Sequence, residues 1–285
     1  MNRVLTILVV ALTCWACDMA HSSTEPDPLA SSTTYSYTAV GASDAIGYGG
    51  SAPCVPFTEC PNGTGYVQTI ARRLHTSGKT VDMLNLGIPG AVLGPETQAL
   101  GNSMGAGIFG NFLEQEVPFV GKNAALVTVF AGGNDVNTVG SALDAGLGGA
   151  DPLAYVASQT TSFGHDLNTL VSGARSRAPG ARIVMLNLPN MGALPYSAGY
   201  TVDRRRWLQT ISVSFSSQIN ALASHGVLVI DLMCDSTFYQ PSMFSPDGFH
   251  PNDTGYAHIA DLMYAAATSG TAPAPRSSCS KMTIY

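Results

Sequence analysis

The chain has 285 residues, of which 45% are hydrophobic and 11% charged, and it carries a net charge of -6. That length allows one large domain or two small ones, and the low charge, with Gly, Ser, Thr and Asn filling the surface instead, suits a secreted protein. The negative balance argues against nucleic acid, because phosphate binding needs a basic face.

In chain order, Met1-Asn2-Arg3 is a short basic start, followed by an apolar stretch over residues 4–16 too short to span a bilayer. Residues 1–17 are therefore expected to be a signal peptide. Ala16-Cys17 could form a lipoprotein junction with Cys17 as the lipidated first residue, although Cys14 stands where leucine is usual. Plain cleavage near Ala16 or Ala20 is the alternative, and either route takes the mature chain out of the cytoplasm. Residues 18–34 are rich in Ser, Thr, Pro and acids and read as a flexible tether. Residues 35–285 form the remaining domain.

Short Val/Ile/Leu-rich runs follow at residues 35–40, 80–86, 124–130, 182–188 and 227–232, each ending in turn residues, as strands buried on both faces do. Helical patterns lie between and after them at residues 64–76, 152–177, 203–225 and 253–268. Asp151-Pro152 and Asn252-Asp253-Thr254 are start signals; Gly78 and Gly226 are stops. Alternating strands and helices imply an α/β domain whose parallel sheet has helices on both faces. Residues 101–110 and 140–149 read as Gly-rich loops, and Arg204-Arg205-Arg206 as a solvated helix face. With Cys14 removed and Cys17 occupied by lipid, four cysteines remain. Cys54 and Cys60 close a short Pro-containing loop and are expected to pair, which leaves Cys234 with Cys279.

In an open parallel sheet, ligands gather at the C-terminal tips of the strands. The first run ends at Gly41-Ala42-Ser43-Asp44, the second at Asn85-Leu86-Gly87-Ile88-Pro89-Gly90 and the third at Gly132-Gly133-Asn134-Asp135. Asp247-Gly248-Phe249-His250 follows the fifth. Acyl transfer needs these residue types. Serine is a poor nucleophile until an imidazole accepts its proton, and the imidazole needs an acceptor on its far nitrogen. Asp247 and His250, three apart, can share one side of a single turn. An oxyanion needs preorganised donors, and a glycine N–H such as that of Gly90 or a neutral amide such as Asn134 can serve.

These four blocks, in this order, resemble those of the SGNH (GDSL-type) hydrolases over roughly residues 35–268. The resemblance implies a three-layer α/β/α, flavodoxin-like fold with a five-stranded parallel sheet. It also implies an esterase, lipase or carbohydrate O-deacetylase working without a metal. By the match, Ser43 is the nucleophile, His250 the base and Asp247 its orienting acid; the N–H groups of Ser43 and Gly90 and the Asn134 side chain form the oxyanion hole. The departures are Ala42, where Asp is usual, and Asp44, where an apolar residue is common; a carboxylate beside the nucleophile could disfavour anionic substrates.

The expected protein is thus an exported, monomeric serine esterase with no cofactor, acting on a small-molecule, lipid or carbohydrate ester. Its activity should rise through a pKa of roughly 6–7. Two readings from other classes compete with it: a non-catalytic glycan- or lipid-binding surface protein, and a metallohydrolase built on Asp247, His250 and Asp44. Taken singly, Ser43 is an ordinary turn serine and Asn134-Asp135 an ordinary turn pair. Gly101-Asn102-Ser103-Met104-Gly105 spells a nucleophile elbow but lacks the preceding strand, and residues 105–110 spell G-x-G-x-x-G without a strand or ribose-binding acid. Met104, Ile108, Phe109 and Phe112 are candidates for an acyl-binding wall. Residues 189–200 and 234–246 could line the same cleft.

Overall fold

A computed structural model of the protein describes residues 34–55, 58 and 60–285. The expected signal peptide, with Cys17, and all of the expected tether before Thr34 lie outside the described residues. Thr34, assigned above to the tether, opens the first strand.

Five strands form one all-parallel sheet: β1 (Thr34–Gly41), β2 (Thr80–Asn85), β3 (Leu126–Phe130), β4 (Arg182–Leu186) and β5 (Leu228–Ile230), in the order β2-β1-β3-β4-β5. Every residue of β3 is buried, because a central parallel strand is covered on both faces. Each Val or Leu so buried contributes roughly 1.5–3 kcal/mol. β2 lies at an edge, which lets a polar residue such as Asp82 stand exposed in it. β5, the other edge strand, is only three residues long.

The helices are α1 (Tyr66–Thr76), α2 (Pro95–Ser103), α3 (Phe112–Gln115), α4 (Gly133–Asp144), α5 (Pro152–Arg177), α6 (Val202–Ala221) and α7 (Asp253–Ser269). α1 packs with α7, while α4 and α5 pack with α6, where Phe163 stacks on Phe215 at 4.1 Å. The start signals act as expected. Asp151 accepts from the N–H of Ala154, and Asn252 accepts from Thr254 and Gly255. Disulfides join Cys54 to Cys60 and Cys234 to Cys279. Among the described residues no helix is long and apolar enough to cross a membrane.

Three expectations need correction. Residues 101–103 and 140–144 are not loop but the last turns of α2 and α4, and Gly140 is there for packing. A Cβ on it would come within 3.1 Å of Leu208 on α6, so the glycine that resembles a loop residue permits close helix contact. Arg204-Arg205-Arg206 is not a free solvated face. Arg204 pairs with Asp144 at 2.5 Å, and Arg205 bonds the Gly192 carbonyl and lies over the Tyr285 ring. Only Arg206 is exposed. In the expected acyl-binding wall, Phe109 is 87% exposed, and Phe112 alone of the four residues lines the cavity described below.

The strand order places the switch point at β1, where the chain turns from β2 on one side to β3 on the other. A crevice opens beyond the strand tips at such a point. Ser43 follows β1 and Asn134 follows β3, so both stand at its mouth.

Candidate active site

β1 ends because its last N–H leaves the ladder: Gly41 donates to Oε2 of the fully buried Glu116 at 2.8 Å. Burial pushes the Glu116 carboxyl well up, and the bond from the Gly41 N–H only partly offsets this. The tip of β2 is fastened to the same turn, since Asn85 donates to the Ala45 carbonyl at 2.7 Å and accepts from the Gly87 N–H at 3.0 Å. Gly87 has to be glycine: a Cβ there would lie 2.7 Å from that of Ala45 and 2.9 Å from the Ala42 carbonyl. The turn that follows carries Gly90 at φ +77°.

Ser43 is buried, with Oγ 2.8 Å from Nε2 of His250. His250 Nδ1 lies 2.6 Å from Oδ2 of Asp247. The loop after β5 organises this pair locally. Asp247 Oδ1 accepts from the Phe249 N–H at 2.8 Å, the His250 N–H at 2.9 Å and the Ser245 hydroxyl at 2.8 Å, folding the four residues into one turn. Burial alone would raise the Asp247 carboxyl. The bonds from the His250 ring, the two N–H groups and Ser245 outweigh it and hold the carboxyl at about 2. An ionised carboxylate only accepts, so the Nδ1 proton faces Asp247 and the bare Nε2 faces the serine hydroxyl. The His250 ring is flanked edge-on by Tyr48 at 4.7 Å and Phe249 at 4.7 Å. This arrangement can take a proton from Ser43 and return it to a leaving group.

Asn134 sits in the first turn of α4, after Gly132 in the left-handed region at φ +105°. Its amide donates to the Ala91 carbonyl at 2.8 Å, which ties the β3 tip to the residue next to Gly90. A small cavity of about 30 Å³ opens beside it, walled by Ala42, Asp44, Phe130, Gly132, Phe249 and Pro251 among others. Leu188, Pro189, Met191 and Leu194 from the β4 loop and Phe238 from the β5 loop close it, as expected for those two loops. Asp135 is fully buried and receives the Leu93 N–H on both carboxylate oxygens, at 3.0 and 3.2 Å. Burial outweighs those bonds and raises its carboxyl to about 7.

Ser43, Asp247 and His250 are thus brought into one hydrogen-bonded line, and Asn134 and Ala91 into the wall beside it. Ser103 is elsewhere, exposed at the end of α2 and bonded to the Leu100 carbonyl. His258 pairs with Asp235 at 2.5 Å, away from Ser43. Sequence reasoning missed Glu116, Ser245 and the anchoring role of Asn85. Nothing in the run Phe112-Leu113-Glu114-Gln115-Glu116 distinguishes the one acid that is buried; the Asn85-x-Gly87 spacing was the only available hint.

The sequence matches the model of the GDSL-like lipase/acylhydrolase family over residues 36–258. The chain belongs to that family, and its class of chemistry is ester hydrolysis. No curated protein matches the sequence. Among solved structures, the lipase Lip_vut3 from a goat rumen metagenome is similar at 19% identity and TM-score 0.54, over 82% of this chain and 97% of that one. An extracellular lipase from Streptomyces rimosus is similar at 17% identity and TM-score 0.52, over 83% of this chain and 99% of its own. A phospholipase A1 from Streptomyces albidoflavus NA297 is similar at 18% and 0.51, over 84% and 99%. At these identities the likeness concerns the fold, the three-layer α/β/α arrangement expected from the sequence.

Proposed function

We propose that the protein is an exported serine esterase that cleaves carboxylic esters through an acyl-enzyme on Ser43. The observation that carries this reading is the unbroken line Ser43 Oγ–Nε2 His250 Nδ1–Oδ2 Asp247, with distances of 2.8 and 2.6 Å. Ser43 Oγ adds to the ester carbonyl carbon while its proton passes to Nε2. The resulting oxyanion is held by the N–H groups of Ser43 and Gly90 and by the Asn134 amide. Collapse breaks the bond to the alcohol, which leaves with the proton from Nε2. Water, deprotonated by the same nitrogen, then releases the acid and regenerates the serine.

The small cavity beside Asn134 supports a short acyl group, acetyl-sized, on a small ester, a lipid or an O-acetylated carbohydrate. The two disulfides support a destination outside the reducing cytosol, secreted or periplasmic, or held at the envelope through a lipidated Cys17. A monomer is the simplest state consistent with this reading.

The test is labelling of the purified mature protein with a fluorophosphonate, followed by peptide mass spectrometry. An adduct on Ser43 that disappears in His250→Ala is the expected result. An adduct on Ser103, or none at all while p-nitrophenyl acetate is not turned over, sinks the proposal.

A further inference from the structure

The two loops that close the cavity meet at one buried asparagine. Pro189, Met191 and Leu194 come from the loop after β4, and Phe238 from the loop after β5. Asn190 stands between Pro189 and Met191 and is fully buried. Its Oδ1 accepts the Gly192 N–H at 3.0 Å, a bond local to its own loop. Its backbone N–H donates to the Tyr239 hydroxyl at 2.7 Å, and that hydroxyl donates to the Met233 carbonyl at 2.9 Å. Tyr239 follows Phe238 in the chain, so Asn190 ties one cavity loop to the other. Its two amide hydrogens leave both loops: one goes to Gln209 Oε1 at 3.0 Å, the other to the Lys281 carbonyl at 2.7 Å, 91 positions further along the chain.

The segment that supplies this carbonyl is fastened on both sides of it. Before it, Cys279 is joined to Cys234 in the β5 loop. Beyond it, the Ile284 and Tyr285 N–H groups donate to Gln209 Oε1 on α6 at 2.9 and 3.1 Å, and Gln209 donates to the Tyr285 carbonyl at 2.9 Å. The Lys281 ammonium also lies 4.5 Å over the Tyr239 ring. A buried amide stripped of its partner costs enough that the loop carrying it shifts rather than leave it unpaired. Here that loop is the wall of a cavity of about 30 Å³, where one methylene of extra room changes which acyl group fits.

We propose that the segment from Cys279 to Tyr285 is a specificity-determining brace, which fixes Asn190 and Tyr239 from behind and so holds the cavity closed to acyl chains longer than acetyl. This rests on the esterase reading above and on the cavity assigned there to the acyl group. Asn190, Gln209 and Tyr239 are its positioning residues, acting on the substrate through Pro189, Met191 and Phe238.

The test measures kcat/KM on p-nitrophenyl acetate, butyrate and hexanoate for the full chain and three variants. Cys234→Ser/Cys279→Ser frees one end of the brace, and Gln209→Ala frees the other without touching a cysteine. Cys54→Ser/Cys60→Ser is the control, since it opens the disulfide closed within residues 54–60. The wild type should favour acetate over hexanoate by at least about 100-fold. That ratio should fall at least about fivefold in the first two variants and stay within about twofold of wild type in the control. Because the rates come from one preparation, the ratio does not depend on how much of a variant folds. A ratio unchanged in both brace variants, or an equal fall in the control, overturns the brace alone, provided Ser43→Ala abolishes turnover of the acetate. A wild-type ratio near one overturns the acetyl-sized cavity and the brace, but not the esterase. Turnover of none of the three esters, or turnover that survives in Ser43→Ala, overturns the esterase reading and this inference with it.

Discussion

Asp247 grips His250 twice, accepting the backbone N–H on one carboxylate oxygen at 2.9 Å and facing the ring Nδ1 with the other at 2.6 Å. Backbone and ring are therefore oriented by a single side chain, with Tyr48 from the turn after β1 packed edge-on against the imidazole. Asp247→Asn keeps an acceptor for the turn but can present an N–H to Nδ1, which favours the wrong tautomer. Its kcat on p-nitrophenyl acetate should drop by roughly 10²–10⁴ with little change in KM. A drop below threefold would remove Asp247 from the site. Since its carboxyl sits at about 2, below the ordinary value, its interactions stabilise the fold above the unfolded pKa and are lost as pH falls through about 2.

Asn134 spends one amide hydrogen on Ala91, which leaves the other for an oxyanion. Asn134→Ala should cost roughly 10²–10³ in kcat. Parallel thermal unfolding separates this from a structural effect: the activity loss should persist at temperatures where the variant remains fully folded. Activity within threefold of wild type would mean that Asn134 only ties the two strand tips together.

Asp135 points the other way in pH. Its carboxyl is raised to about 7, so the folded state holds a proton that the unfolded state has released. The stability this contributes is complete below the unfolded value near 4 and fades as pH rises through about 7. Asp135→Asn keeps an acceptor for the Leu93 N–H and removes the titration. Denaturant melts across pH 4–8 should show a shallower decline for the variant; parallel curves for the two proteins would contradict the shift.

Glu116 caps the strand that delivers Ser43. Glu116→Ala leaves the Gly41 N–H buried and unpaired, at a cost of about 1–3 kcal/mol, or several degrees in Tm for a domain of this size. Glu116→Gln supplies an acceptor again and should recover most of that loss. Equal melting temperatures for the two variants would show that the hydrogen bond to Gly41 does not matter.

Much of this was legible in the residues themselves. Buried parallel strands announce themselves as Val/Ile/Leu runs because both faces are covered, and Asp151 and Asn252 mark helix starts because their side chains satisfy the first free N–H groups. The Asp247–His250 pair was readable because it is local, closed within one turn. Other features depended on partners distant in the chain. Gly140 reads as loop until Leu208 of α6 is set against it, and Arg204 reads as solvated until Asp144 arrives. Glu116 is one acid among several until Gly41, 75 positions earlier, donates to it. Sequence therefore determined the order of the elements and the chemical types at the strand tips, which follow from periodicity and turn chemistry. The tertiary structure alone decided which polar groups lose water and which find partners, because burial is a property of the assembled layers.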